Sequence, residues 1–313
     1  MYNIDQSFSL STKLIGLDKY FDDMVNLYKK KKFPKILLLN GKKGIGKFTL
    51  IFHFLNYVYS QREKTSYNLG DKTINLNSNF YNSILNHTCL DVIFFHAEDG
   101  KNIKIEDVRN LKSFLSRSSL STNPRFVIID EVEYLNANSA NGLLKTLEEP
   151  ASNNHFILIN NQQAGLIETI SSRCLKNNIF LNFAQRSKII DYLIENRNIK
   201  LFIDDFKNLT PGLLIKYNEL FNKYKLINSE NILSKLNKLL HAYKKDKNKA
   251  LIGLSFFFVD QFFYHLIEEN VNKIDFLINL KKKIIYKIND FFIYNLNINS
   301  VLNSIEFKLK NVE

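Results

Sequence analysis

GKKGIGKFTL, residues 41–50, lies between the apolar run KILLLN (35–40) and a segment of helical character that reaches about Tyr59. A glycine-rich loop between a buried strand and a helix aims several backbone N–H groups, and the positive end of the helix dipole, at one point. Such a point suits an anion. The spacing of Gly41, Gly44, Gly46 and Lys47 matches a phosphate-binding loop, in which a Ser or Thr directly after the lysine holds Mg²⁺. Phe48 occupies that place, and the first hydroxyl comes one residue late, at Thr49. A phenyl ring offers no oxygen to a hard cation. One step along a helix turns a side chain by about 100°, so Thr49 is not expected to replace the missing hydroxyl. The loop and Lys47 still suit weakly held phosphate, and a plain tight turn is the alternative for the loop alone.

Downstream, VIIDE (127–131) is an apolar strand ending in two carboxylates. Next to a phosphate loop, Asp130 is placed to hold a metal and Glu131 to polarise an attacking water. Strands ending in acidic residues are common, and the pairing of the two motifs is what points to a nucleotide-binding core. The surrounding pattern agrees. Apolar runs at 35–40, 91–97, 125–130 and 155–160 read as strands, and 17–30, 105–118 and 139–149 as helices. Strands alternating with helices predict a mainly parallel sheet covered on both faces. Residues 60–86 are polar, Asn-rich and without periodicity, and read as a variable loop or insertion. Beyond Cys174 helical periodicity takes over, with Pro211-Gly212 as the clearest break.

With 313 residues and 45% hydrophobic content, the chain has room for two or three domains. A net charge of +12 suggests an anionic partner such as nucleic acid, although the excess of Lys, Asn, Ile, Phe and Tyr also fits an AT-rich genome. Cys89 and Cys174 are too few for a disulfide framework or a four-cysteine zinc site. His53, His87, His96 and His155 lack metal-ligand spacing, and no zinc is expected. MYNIDQSFSL (1–10) has neither a basic nor an apolar signal region, and LIGLSFFFVDQFF (251–263) is interrupted by Asp260 and short for a bilayer. A cytoplasmic protein without a membrane partner is expected.

From Ile128 the chain runs IIDEVEYLNANSANGLLKTLEEPASNNHFILINNQQAGLIETISSRC, to Cys174. This closely resembles the clamp-loader branch of the AAA+ ATPases of bacterial DNA polymerase III, in which an LLKTLEEP block (here 143–150) and a terminal SRC (172–174) stand together. LIG (14–16), the phosphate loop, the acidic strand and TPG (210–212) follow in the family's order.

The resemblance implies an AAA+ core over 1–177, a helical lid over 178–222 and an all-α collar over 223–313 that joins a circular hetero-pentamer. The collar apolar residues Leu251, Leu254, Phe256, Phe257 and Phe262 are expected in cores or subunit contacts. The family's motor subunits, gamma or tau, are expected to carry GKT, four cysteines near 60–90, a lid Arg and, for tau, a long tail. This chain has GKF, Cys89 alone in that region, NLTPGLLIKY (208–217) in the lid, and an end at 313. These departures point to a subunit that does not hydrolyse ATP at its own site, with ATP and Mg²⁺ there in doubt.

The family's SRC arginine reaches into a neighbour's nucleotide, and by resemblance that role falls on Arg173; a surface Arg in a salt bridge is the alternative. Asn160 falls where the family places a γ-phosphate sensor, with Asn161 beside it; a turn Asn is the alternative. Glu131 leaves residual nucleotide binding open. Arg109, Lys112 and Arg117 are candidates for DNA phosphates or simply a solvated helix face, and Cys174 is read as a packing residue.

The implied partners are gamma/tau and delta, with the sliding clamp and primed DNA reached through the complex, inside a polymerase holoenzyme that is a nucleotidyltransferase. Two other readings stand beside this: an active gamma/tau-type ATPase, and a free-standing nucleic-acid-binding module.

Overall fold

The computed structural model describes residues 11–96, 103–116, 123–197, 199, 201, 203 and 209–310. They form two compact units: the first lies within 1–197 and includes Thr210–Gly212, and the second lies within 198–209 and 213–313.

The first unit opens with α1 (Asp18–Lys29), β1 (Ile36–Asn40) and α2 (Lys47–Ser60). It continues with α3 (Asn79–Leu85), β2 (Val92–His96), α4 (Ile105–Ser116), β3 (Arg125–Asp130) and α5 (Ala137–Glu148). It ends with β4 (Asn154–Asn160), α6 (Glu168–Ser171), β5 (Leu175–Asn178) and α7 (Phe183–Arg197). The strands pair in parallel in the order β2-β3-β4-β1-β5.

The strands are apolar almost throughout because both sheet faces are covered, and alternate residues point to opposite faces. Leu37, Leu39, Phe126, Ile128, Ile157 and Ile159 share one core with Phe21 and Met24 of α1 and Leu50, Ile51 and Phe54 of α2. Ile36, Leu38, Val127, Ile129, Phe156 and Leu158 share the other with Val108 and Leu111 of α4 and Leu143 and Leu147 of α5. This is the two-sided parallel sheet that the sequence predicts.

Residues 60–86 depart from the loop expectation. Tyr67, Ile74, Phe80 and Ile84 are buried in the core beside α2. Ser78 caps α3 by accepting a hydrogen bond from the Tyr81 N–H at 3.1 Å. Apolar anchors spaced irregularly within Asn-rich sequence leave no periodic signal, so only packing reveals them. The short elements α6 and β5 also lack such a signal; β5 is mostly exposed and takes its place by pairing with β1. The helical periodicity expected beyond Cys174 begins with α7, which clusters with the sheet unit.

The second unit is helical. α8 (Pro211–Lys223) contributes Leu213 onward, followed by α9 (Ile232–Asp246), α10 (Ala250–Glu269), α11 (Ile274–Tyr294) and α12 (Ile298–Leu309). Leu236, Leu240, Val259, Phe263, Leu277, Ile284, Ile288, Phe291, Val301 and Ile305 form its core. Leu251 and Leu254 are fully buried, and Phe256 and Phe262 pack against that core.

The apolar run at 251–263 extends into a 20-residue helix, α10, which by length and composition alone is sufficient to cross a membrane. Here Leu251, Leu254, Phe258, Val259 and Phe263 are buried among helices.

Candidate phosphate-loop site and exposed arginine

All five strands run the same way, so their C-terminal ends share one edge of the sheet, where α/β sheets of this kind place ligands. Asn40, at the end of β1, stands in register with Asn160 of β4 and Asn178 of β5. The loop after β1 therefore emerges beside Asn160, with Asp130 one strand further on. Gly41 donates its N–H to the Asn160 carbonyl at 3.2 Å. A side chain at Gly41 would come within 2.6 Å of the Ile179 carbonyl oxygen. Gly44 and Gly46 have φ of 82° and 94°, the left-handed region in which glycine is at ease, and Gly46 caps α2. The predicted loop is thus formed.

Its chemistry is turned inward. Lys47 is 3% exposed, and its Nζ donates to the carbonyls of Gly41 at 2.6 Å and Lys42 at 2.9 Å. Burial pushes this ammonium down to about 8, against the pull of Asp130 and Glu133. Phe48 packs into the core beside α2, its ring 5.5 Å from that of Phe94 on β2. Thr49 is half-buried in the first turn of α2. A side chain committed to the core supplies no ligand, so this set of residues does not fit the Mg²⁺ of a hydrolysing site.

Asp130 and Glu131 are both buried. Asp130 Oδ1 accepts from the Glu131 N–H at 2.8 Å and from Asn161 Nδ2 at 3.1 Å. Glu133, which sequence reasoning passed over, accepts from the Asn161 N–H at 3.0 Å, and burial raises its carboxyl above the ordinary range. Asn160 bonds locally: its Nδ2 donates to Asn40 Oδ1 at 3.1 Å and its Oδ1 accepts from the Gln162 N–H at 2.9 Å.

Glu131 has φ of 56°, a conformation that costs a non-glycine residue about 1–2 kcal/mol. Its Oε1 pairs with Lys43 Nζ at 2.5 Å, and Oε2 is buried with no partner among the described residues. Burial works against the Lys43 charge, but Glu131 more than offsets it and lifts the ammonium above its usual value. Lys43 was also missed from sequence, where it is simply one of the three positions, with Lys42 and Ile45, that the loop pattern leaves unspecified.

The pair leads to an expected result. Lys43→Ala strands the Glu131 carboxylate and should lower stability by about 2 kcal/mol. That is below the usual cost of breaking a buried pair, because the Lys43 side chain is 45% exposed. Adding Glu131→Gln should recover most of the loss in thermal melts; no recovery refutes the pairing.

Thr210 and Gly212, clustered with the sheet unit, close over the loop. Thr210 Oγ1 donates to the Lys43 carbonyl at 2.7 Å, and the Gly212 N–H donates to the Gly44 carbonyl at 2.8 Å. A Cβ at Gly212 would lie 2.8 Å from Gly44 Cα, so a glycine is needed for that approach.

Arg173 lies far along the chain from the loop, in the turn after α6, and is exposed. Its Nη1 donates to the Thr169 carbonyl at 2.7 Å, and Nε donates to Glu148 Oε1 at 3.0 Å. Cys174 is half-buried; its thiol donates to the Ile170 carbonyl at 3.1 Å, and burial pushes it up to about 11, as suits a packing residue. Arg109 and Lys112 are exposed on α4, while Arg117 lies outside the described residues, as does the His96 side chain. Among the described residues no cluster of His, Cys, Asp and Glu is arranged to hold a metal ion.

Comparison with known proteins adds to this geometry. Residues 16–181, more than half of the chain, match the family model described as DNA polymerase III, delta subunit. A DNA polymerase III subunit delta' of Pseudomonas aeruginosa is 32% identical over 141 residues, 44% of this chain and 41% of that protein. A DNA polymerase III subunit gamma of Buchnera aphidicola is 29% identical over 188 residues, 60% of this chain and 48% of that protein. The chain thus spans about half the length of the curated relatives it matches. Among solved structures, a gamma subunit-related protein of Thermotoga maritima aligns with 93% of this chain and 99% of its own, at 19% identity and a TM-score of 0.43.

Proposed function

Because the chain belongs to the DNA polymerase III delta-subunit family, we propose that it acts as the delta-prime subunit of the clamp loader. In this reading it joins gamma/tau and delta subunits in a hetero-pentamer, helps set the sliding clamp on primed DNA, and supplies Arg173 to the nucleotide of an adjacent motor subunit. Residues 1–177 serve as the AAA+ core, 178–222 as the lid and 223–313 as the collar.

One observation carries the choice of subunit: the side chain in the metal-hydroxyl position, Phe48, is packed against Phe94 instead of facing the loop. Two others support it. Lys47 is satisfied by its own loop, and Glu131, the residue that argued for a live site, has an ion-pair role with Lys43. An active gamma/tau-type ATPase requires all three to rearrange.

The deciding experiment measures ATP turnover for the chain alone, for motor plus delta subunits, and for the three together with clamp and primed DNA. Turnover and clamp loading are expected only in the last mixture. Magnesium-dependent micromolar ATP affinity of the isolated chain, with turnover lost in Asp130→Asn, refutes the reading in favour of the motor subunit. Steeply salt-dependent DNA binding by the isolated chain favours a free-standing nucleic-acid binder instead.

A further inference from the structure

Glu148 closes α5 and Arg173 follows α6, and the fold brings the two side chains together although 25 residues separate them. Arg173 Nε donates to Glu148 Oε1 at 3.0 Å, Nη2 donates to the same oxygen, and Nη1 donates to the Thr169 carbonyl at 2.7 Å. A guanidinium carries five N–H groups. Three are committed, which leaves one on each terminal nitrogen without a partner among the described residues. Two N–H groups on one rigid plane match a pair of phosphate oxygens.

Stability does not account for Glu148. Its side chain is 47% exposed and that of Arg173 32%, and ion pairs this close to water contribute little. It also stands in the last turn of α5, where the helix dipole disfavours a negative charge. A residue that goes against the local preference and fixes a neighbour's geometry marks a functional constraint.

We propose that Glu148 is a positioning residue. It holds the Nε side of Arg173 so that the two free N–H groups face outward, toward the triphosphate of the adjoining subunit. The inference rests on the finger role proposed above. An arginine already held in one orientation loses less freedom when the neighbour's transition state forms, so the gain appears in the rate of the chemical step.

The test uses the full reconstituted clamp loader with the unaltered chain, Arg173→Ala, Glu148→Ala, Glu148→Gln and, as a neighbouring surface control, Glu149→Gln. Glu148→Ala is expected to lower kcat for ATP on the order of ten- to a hundredfold with KM little changed. Glu148→Gln, which keeps an acceptor oxygen, should fall between Ala and the unaltered chain, and Glu149→Gln should match the unaltered chain. Unchanged or raised turnover in Glu148→Ala, while Arg173→Ala loses it, overturns the positioning role and leaves the finger standing. No effect of Arg173→Ala overturns the finger reading itself. Loss of assembly in both Glu148 variants also overturns the proposal, since the residue would then serve subunit contact.

Discussion

Replacing Arg173 with Ala in the assembled loader is expected to slow hydrolysis at the adjoining motor site by roughly 10³–10⁵-fold, about 4–7 kcal/mol of transition-state stabilisation. The size follows from what a guanidinium does at that point. Charge spreads over the phosphoryl oxygens as the bond to the leaving group loosens, and a cation in a water-poor interface stabilises it far more than the ground state. The fold of the isolated chain should hardly notice. Arg173 is exposed, and its pair with Glu148 is a surface pair worth about 0–1 kcal/mol, so thermal melts of the variant and the unaltered chain should nearly coincide. Arg173→Lys is expected to recover only part of the rate, because an ammonium has no planar fork. Single-turnover hydrolysis on complexes of verified composition reads the effect directly. Equal rates with Arg173→Ala would remove the finger and, with it, the main catalytic contribution proposed for this chain.

The second large effect is acid lability of the sheet unit through His53. Its ring is fully buried, and burial pushes it down to about 4, against an ordinary value of 6.5. Nε2 lies 2.9 Å from the Ser11 carbonyl, which only accepts, so that nitrogen carries the proton. Nδ1, 2.9 Å from the Tyr67 hydroxyl, then accepts. The ring is held neutral.

Between pH 6.5 and about 4 the unfolded chain takes up a proton that the folded chain refuses, so stability rises with pH across that window. His53 therefore costs nothing above pH 6.5 and removes about 3 kcal/mol by the bottom of the window. Chemical unfolding midpoints at pH 7.5 and 4.5, compared with those of His53→Gln, isolate this contribution from the carboxylates. Parallel losses in the two proteins would show that His53 is protonated in the folded state.

Much of the fold was legible along the chain. β1, β3 and β4 are nearly unbroken apolar runs, because a parallel sheet covered on both sides needs no polar face, and the observed bounds differ from the expected ones by a residue at most. α5 and α7 were visible from their helical pattern. α3 and β5 were not, since one is anchored by irregularly spaced aromatic and aliphatic residues and the other exists only by pairing with β1.

At the site, Gly41, Gly44, Gly46, Lys47, Asp130 and Glu131 were singled out by motif and spacing, and Asn160 and Arg173 by the family resemblance. Their present engagements were not. That Glu131 answers Lys43, that Lys47 is spent on Gly41 and Lys42, and that Glu148 holds Arg173 are contacts over 88, 6, 5 and 25 residues.

The order of residues alone settled the class of fold, the place of the phosphate loop and the lack of a hydroxyl after Lys47, because these depend on local periodicity and on side-chain identity. Tertiary structure alone decided where the charged groups point. A buried charge takes whichever partner the packed chain brings within about 3 Å, and the separation of residues along the chain does not encode that choice.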